Sequence, residues 1–375
     1  MKLLFVAARW NPQNPDSGSG VNYNAYMELK DRMDDIRIVG PFQSNLTFLE
    51  RVVRKIFERP GKHRLIKFYP SYLRRSNRTV QDVMDAYQPD VIFSKSSIPL
   101  VNVELNAPLV YMCDSTVKWT ADNWPLFSPL GLKVMEKWEA KVIRKAARII
   151  TFSQANADVL TGYYQIPAEK ITVHPIPSSL PHEEDDFQPN PLIPGEKVNL
   201  LLVGKEFHRK GVDIAMETVR GLNAQGIPAE LRIVGQDNEN AENITFAGLL
   251  SKNDPAQQKA YMDNYRWAHF LLFPSRFDAA GIVPSEAAGF GVPTITNAAG
   301  GIETTVRDGI SGIVLPRHSP AAAYIEVIQH YLAHPEAYDA LRQSTYDRYL
   351  AELNWPALGD TLSALIDQAT GHQEM

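Results

Sequence analysis

Twice along this chain, short apolar runs of strand length alternate with longer stretches of helical periodicity, and a proline-rich break separates the two rounds. Parallel strands buried on both faces require near-continuous apolar runs, and each parallel pair requires a helix-sized crossover. The first round predicts strands at 3–7, 37–39, 91–93, 109–113, 149–152 and 171–174, with helices such as 21–31 and 131–147 between them. The second predicts strands at 198–203, 231–234, 270–273 and 294–297, with helices at 211–225, 257–268, 284–289 and 321–333. The break at 175–196 holds six prolines and the acidic run 183–186. It reads as a linker able to hold neither a helix nor a central strand, and its acids read as a solvated patch. The expected architecture is therefore α/β, with two doubly wound parallel-sheet domains at 1–176 and 197–354. The linker spans 177–196 and a helical segment follows at 355–375. Ligands of such sheets sit at the carboxyl ends of the strands, so two facing ends would form an interdomain cleft.

A chain of 375 residues is long enough for two cores of ordinary size. Cys113 is the single cysteine, which excludes an internal disulfide and makes a reducing compartment the expectation. Arg9, Trp10 and Asn11 end the first apolar run, so it reads as a buried strand and not as a signal peptide. No stretch approaches the roughly 18 unbroken apolar residues of a membrane span. A cytoplasmic protein, at most peripheral at the inner face of a membrane, is expected.

The formal charge of −5 is unevenly spread: residues 51–78 carry ten Lys/Arg against one acid, +9 in all, leaving −14 elsewhere. Arg51, Arg54 and Lys55 open this segment, and Phe57, Phe68, Tyr69 and Tyr72 interleave with it. Cations with aromatics suit an anionic membrane surface or a lipid-linked pyrophosphate acceptor, with a solvated basic helix as the plain alternative. No nucleic-acid recognition motif accompanies the charge.

Residues 273–306 are the most informative stretch. Pro284 fits a first helical position, which places the amides of Gly281, Ile282 and Val283 at a helix N-terminus, where they suit an anion or sugar hydroxyls. Glu286 can accept two hydrogen bonds from a vicinal diol such as a ribose, and Asp278 lies on the approach loop. Either acid taken alone could equally complement the helix dipole or sit solvated. Lys205 and Lys210 follow a buried strand and precede a helix, so they could neutralise a diphosphate leaving group, although loop lysines are usually solvated.

The ordered set Val203-Gly204-Lys205…Lys210-Gly211, Asp278-x7-Glu286-Ala287, Gly291-Val292-Pro293, Gly300-Gly301-Ile302-Glu303 and Asp308-Gly309…Gly312 resembles the retaining GT-B glycosyltransferases of family 4, also described as glycosyl transferases group 1. The likeness covers most of the second half. It is weaker in the first half, at the Gly18/Gly20 turn, 149–153 and 170–173. It implies a nucleotide diphosphate sugar as donor, first of all UDP-glucose, and a saccharide or lipid-linked saccharide as acceptor. It further implies that Lys205 and Lys210 contact the diphosphate and Glu286 the ribose. Asp278, Ala280 and the Gly281–Val283 amides would hold the sugar, Gly248, Leu249 and Leu250 the base, and Gly18 and Gly20 would line the cleft. The segment 355–375 would pack back on the first domain.

Three positions depart from that pattern. Asp278 stands where the family usually has Glu, Asp114 where it often has His, and Pro175-Ile176-Pro177 where Pro-Asn-Gly is usual. Asp114 could still bind a sugar hydroxyl, and Trp119 and Trp124 after it could stack on an acceptor sugar or pack in the core. No Asp-x-Asp stands on a strand-end loop, so a metal-independent enzyme with no cofactor is expected. A Rossmann dehydrogenase would need Gly-x-Gly-x-x-Gly, and Gly18-Ser19-Gly20 lacks the third glycine. A pyridoxal-site signature for a related phosphorylase is lacking too. A catalytically impaired nucleotide-sugar binding protein of the same fold is the alternative that the changes at 278 and 114 keep open.

Overall fold

The computed structural model describes residues 1–15, 20–43, 46–57, 70–124 and 129–371. The chain divides into two compact units, Met1–His174 with Leu358–Met375, and Pro175–Ala357.

The first unit contains β1 (Lys2–Val6), α1 (Val21–Lys30), β2 (Asp35–Val39), α2 (Phe48–Phe57), α3 (Pro70–Tyr87), β3 (Val91–Ser94) and β4 (Leu109–Cys113). It continues through α4 (Val117–Asn123), α5 (Pro129–Ile143), β5 (Arg148–Thr151), α6 (Gln154–Gly162) and β6 (Ile171–Val173). Its six strands form one parallel sheet in the order β2-β1-β3-β4-β5-β6. The strand order reverses between β1 and β3, which meet with Val6 opposite Ser94. Val80 and Met84 of α3 and Val142 of α5 cover one sheet face against Leu4, Ile92, Leu109 and Ile149.

The second unit contains β7 (Val198–Val203), α7 (Val212–Ala224), β8 (Ala229–Val234), β9 (Ile244–Phe246), α8 (Pro255–Trp267), β10 (Phe270–Phe273) and α9 (Ile282–Ala288). It ends with β11 (Thr294–Asn297), α10 (Ile302–Thr305), β12 (Gly312–Leu315), α11 (Ala321–Ala333) and α12 (Pro335–Glu352). The sheet order is β12-β11-β10-β7-β8-β9, again all parallel, with the reversal between β7 and β10. Alternate side chains of one strand serve opposite layers, as the two-residue strand period requires. Leu200 and Leu202 meet Ala215, Val219 and Leu222 of α7, while Leu201 and Val203 share the other layer with Tyr265 of α8 and Val283 and Ala287 of α9.

α13 (Trp355–Thr370) follows. Its residues from Leu358 onward belong to the first unit, where Arg32, just past α1, pairs with Asp360 at 2.7 Å and Arg148 bonds Gln368 at 3.2 Å.

Several expectations need correction. The edge strands β9 and β12 were not expected. The proline-rich break carries a 3-10 turn at Glu184–Asp186 and gives Leu180 and Leu192 to the cores of the second unit. Its acidic run is exposed at Glu183 and Asp185, as expected of a solvated patch, but Asp186 departs from that reading, being 2% exposed and paired with Arg266 at 2.5 Å. α9 begins at Ile282, so Pro284 stands at its third residue and not its first. Tyr72 is not a surface aromatic: it is buried, and its hydroxyl donates to the Ala8 carbonyl at 3.2 Å. No described helix is long and apolar enough to cross a membrane.

Candidate functional site

Strand-order reversal separates the loops after β7 and β10, and that crevice is where doubly wound sheets take ligands. Both loops carry charge here. Gly204 follows β7, and a Cβ on it would lie 2.6 Å from Cγ of Lys210, so the lysine stem lies across the bare backbone. Gly211 closes the loop at φ 68°, with its Cα so near Pro274 that a Cβ would stand 2.1 Å from that carbonyl oxygen. Only glycine satisfies both the left-handed backbone and the approach. The exit of β7 is thereby pressed onto the exit of β10.

Ion pairs brace the two loops further. The backbone N–H of Arg276 donates to the Arg209 carbonyl at 2.8 Å, and the Arg276 guanidinium grips Asp213 bidentately at 2.9 and 2.6 Å. Arg209 donates to the Phe277 carbonyl at 3.0 Å, to Glu206 at 2.8 Å, and lies 3.5 Å from the Asp278 carboxylate. Lys210 pairs closely with the same carboxylate and places its ammonium 4.5 Å from the centre of the Phe273 ring. Burial alone would raise the Asp278 carboxyl, but Lys210, Arg209 and the Gly281 amide outweigh it and hold it below the usual aspartate range. The backbone of Asp278 is fixed as well: its carbonyl accepts from the Gly301 amide at 2.9 Å, and Gly300 approaches it so closely that a Cβ would clash at 2.1 Å.

Glu286, on α9, is 0% exposed. Oε1 accepts from Ser179 Oγ at 2.5 Å and pairs with the Lys252 ammonium, while Oε2 accepts from the hydroxyls of Tyr261 and Tyr265, each at 2.9 Å. Burial pushes this carboxyl up, and Lys252 with the hydroxyl donors overcomes that push and keeps it below the ordinary glutamate range. Lys252 stands on the connection from β9 to α8, a few residues beyond Gly248, Leu249 and Leu250. The Gly248 carbonyl accepts from the Gly235 amide at 2.8 Å, and the Leu249 side chain is 63% exposed.

Of the residues expected from sequence, Lys210 and Asp278 are in contact, and Gly281 joins them through its amide. That amide is therefore engaged within the loop. Lys205 is exposed on the same loop and makes no ion pair among the described residues. Ala280 is buried, with its carbonyl bonded by Thr305 Oγ1 at 2.5 Å, and Ile282 and Val283 open α9. Arg209, Lys252, Ser179, Tyr261 and Tyr265 went unrecognised in the sequence. Only the four-residue spacing of the two tyrosines on one helix face gave any signal of them.

In the first unit, Gly20 caps α1 at φ 76°, whereas Gly18 lies outside the described residues. Asp114, just past β4, pairs with Lys95, just past β3, at 2.5 Å, and its Oδ1 is buried with no hydrogen-bond partner. Trp119 does not offer a face to a sugar: it lies within α4 and is 4% exposed. Trp124 closes α4 and is half-buried. Arg51 is exposed on α2; Arg54 and Lys55 share that helix, but their side chains lie outside the described residues. No group of three metal-ligating side chains gathers among the described residues.

Two family models match the chain, Glycosyltransferase Family 4 over residues 21–177 and Glycosyl transferases group 1 over residues 183–348. A D-inositol 3-phosphate glycosyltransferase of Catenulispora acidiphila is 28% identical over 250 residues, 62% of this chain and 59% of that protein. The alpha-D-kanosaminyltransferase of Streptomyces kanamyceticus is 22% identical over 274 residues, 70% of each chain. The chain spans about three-fifths of the length of the inositol-phosphate relative it matches. Among solved structures, a sucrose-phosphate synthase from Thermosynechococcus elongatus superimposes with a TM-score of 0.70 at 18% identity, covering 100% of both chains. Anabaena HepE in complex with UDP-glucose gives 0.64 at 14% identity, covering 98% and 99%. At these identities the likeness to the solved structures is one of fold.

Proposed function

The chain belongs to the GT-B glycosyltransferases described by these two family models, and from that premise we propose that it transfers a hexose from a nucleoside diphosphate sugar to an acceptor hydroxyl with retention at the anomeric carbon. The observation that carries this reading is the Lys210–Asp278 pair, clamped by Arg209 at the strand-order reversal of the second sheet. Lys210, with Lys205 on the same loop, neutralises the diphosphate as the bond from the sugar to its leaving oxygen breaks. Asp278 holds a hydroxyl of the donor sugar, Glu286 the ribose, and the turn at Gly248, Leu249 and Leu250 the base. These cations supply the charge that a divalent ion supplies elsewhere, so the reaction is proposed to need neither metal nor cofactor.

UDP-glucose is the first donor to test. The acceptor is proposed to be a saccharide, free or lipid-linked, and D-inositol 3-phosphate, for which a relative is named, is proposed as a second candidate. Asp114, held by Lys95, is proposed to orient the acceptor, with Trp124 beside it. The exposed Phe48, Leu49, Val52 and Arg51 on α2 support peripheral contact with an anionic membrane surface at the cytoplasmic face.

Incubation with UDP-, GDP- and ADP-glucose, followed by release of free nucleoside diphosphate, tests the reading. One donor should turn over unchanged in chelator, and the product should keep the α configuration by NMR. Lys210→Ala should lower turnover by about a hundredfold or more. Unchanged turnover in that variant removes Lys210 from the reaction. Donor binding without any turnover in the wild type would identify a nucleotide-sugar binding protein instead.

A further inference from the structure

A carboxylate offers about four acceptor positions. In Glu286 all four are already taken by groups of this chain, in a side chain fully removed from solvent. The two halves of the group are held differently. Oε2 is bound by two buried tyrosines on α8, and Tyr265 is in turn stacked on Phe290 with ring centres 5.4 Å apart. Oε1 is bound from loops: Ser179 is half-buried, and Lys252 is 28% exposed. The Lys252 ammonium also donates to Ser179 Oγ at 2.8 Å and lies 5.0 Å from the centre of the Tyr261 ring. Oε1 is the half that can be vacated by moving a flexible side chain. An ammonium on a four-carbon stem reaches water by rotation alone, whereas the tyrosines would have to leave the core.

We propose that Lys252 sits in the ribose seat of the unliganded chain and that a nucleotide binds by exchange, its vicinal hydroxyls taking the two places the Lys252 ammonium leaves, one on Oε1 and one on Ser179 Oγ. This rests on reading Glu286 as the ribose seat. A buried carboxylate needs its charge compensated, and Lys252 supplies that while the seat is empty. The same pairing makes Lys252 a competitor of the ligand. The seat is competent only in the fraction of molecules in which the lysine has swung out, so the apparent affinity is reduced by that fraction. Lys210 has no such freedom, being held by Asp278, Phe273 and the bare backbone of Gly204. One cation is thus fixed, and the other yields.

Calorimetric titration of the full chain with UDP, GDP and ADP, and with the nucleoside of whichever binds best, tests the exchange. The uncharged nucleoside removes any attraction between Lys252 and phosphate. Lys252→Met should bind that nucleoside about three- to tenfold more tightly than the wild type. The gain should vanish for the 2′,3′-dideoxynucleoside, which has no diol to enter the seat. Lys252→Gln should behave like Lys252→Met, and Lys252→Arg should stay near the wild type. Glu286→Gln should weaken binding at least tenfold. If Glu286→Gln weakens binding while Lys252→Met leaves it unchanged or weaker, the exchange is wrong and the ribose seat stands. If Glu286→Gln binds like the wild type, or no nucleotide binds any of these proteins, the ribose seat itself is wrong and the exchange falls with it.

Discussion

Glu139, on α5, is buried beside Cys113, and its Oε2 accepts from Tyr164 at 2.6 Å and from the Val117 amide at 2.8 Å. Burial pushes its carboxyl from an ordinary 4.5 up to about 7, with those two donors only partly opposing the push. The folded state therefore favours the protonated acid. Its contribution is complete below pH 4.5 and is lost as pH rises through 7, a swing on the order of 3 kcal/mol. Glu139→Gln keeps an acceptor for both donors and cannot ionise. It should melt roughly 5 °C or more above the wild type at pH 8 and level with it at pH 4.5, as thermal scans at the two values would show. A variant that loses stability at pH 8 would contradict the buried charge. At this scale the sequence showed which acids and lysines stand on strand-end loops, because their neighbours in the chain mark the loops. It hid who meets them. The four partners of Glu286 come from three separate stretches, and contacts between distant stretches leave no trace in one sequence.

The segment 175–196 shows how an element can be misread. Its prolines do exclude a long helix or a central strand, but they do not make it free. Glu183 and Asp186 cap the start of their own short turn, each side chain accepting from the other's backbone N–H, and Asp186 also reaches Arg266 on α8 and approaches His182 within 3.5 Å. Removing one partner of a buried ion pair costs about 3 kcal/mol, against almost nothing for an exposed acid. Asp186→Ala should therefore lower the stability of the second unit by about that amount in denaturant unfolding, while Asp185→Ala, at an exposed neighbour, should not. The central strands were legible to within two residues because both-face burial leaves an unbroken apolar run, as in Leu109–Cys113 and Phe270–Phe273. Edge strands escape that logic. β9 is three residues long with Thr245 exposed, and β12 opens on a glycine. The start of α9 slipped by two residues because Gly281, and not Pro284, sets it.

Over the whole molecule, the two-round alternation led to two parallel sheets, and the structure has both, with a separate family model matching each half of the chain. The feature with the widest reach is the discontinuity of the first unit, which takes in Leu358–Met375. Leu358, Leu362, Leu365 and Ile366 are all buried there, and each contributes about 1.5–3 kcal/mol. Ending the chain after Ala357 should remove an amount comparable to the entire stability of a domain. Hydrogen exchange read by mass spectrometry should then show protection lost in 109–113 and kept in 198–203. Equal protection in both stretches would show that the helix is dispensable. In synthesis on the ribosome, the intact chain faces the same dependence in time. Met1–His174 leaves the tunnel while Leu358 and the residues after it are still unmade, so the first unit waits through the synthesis of the whole second unit, an interval in which a chaperone has something to hold.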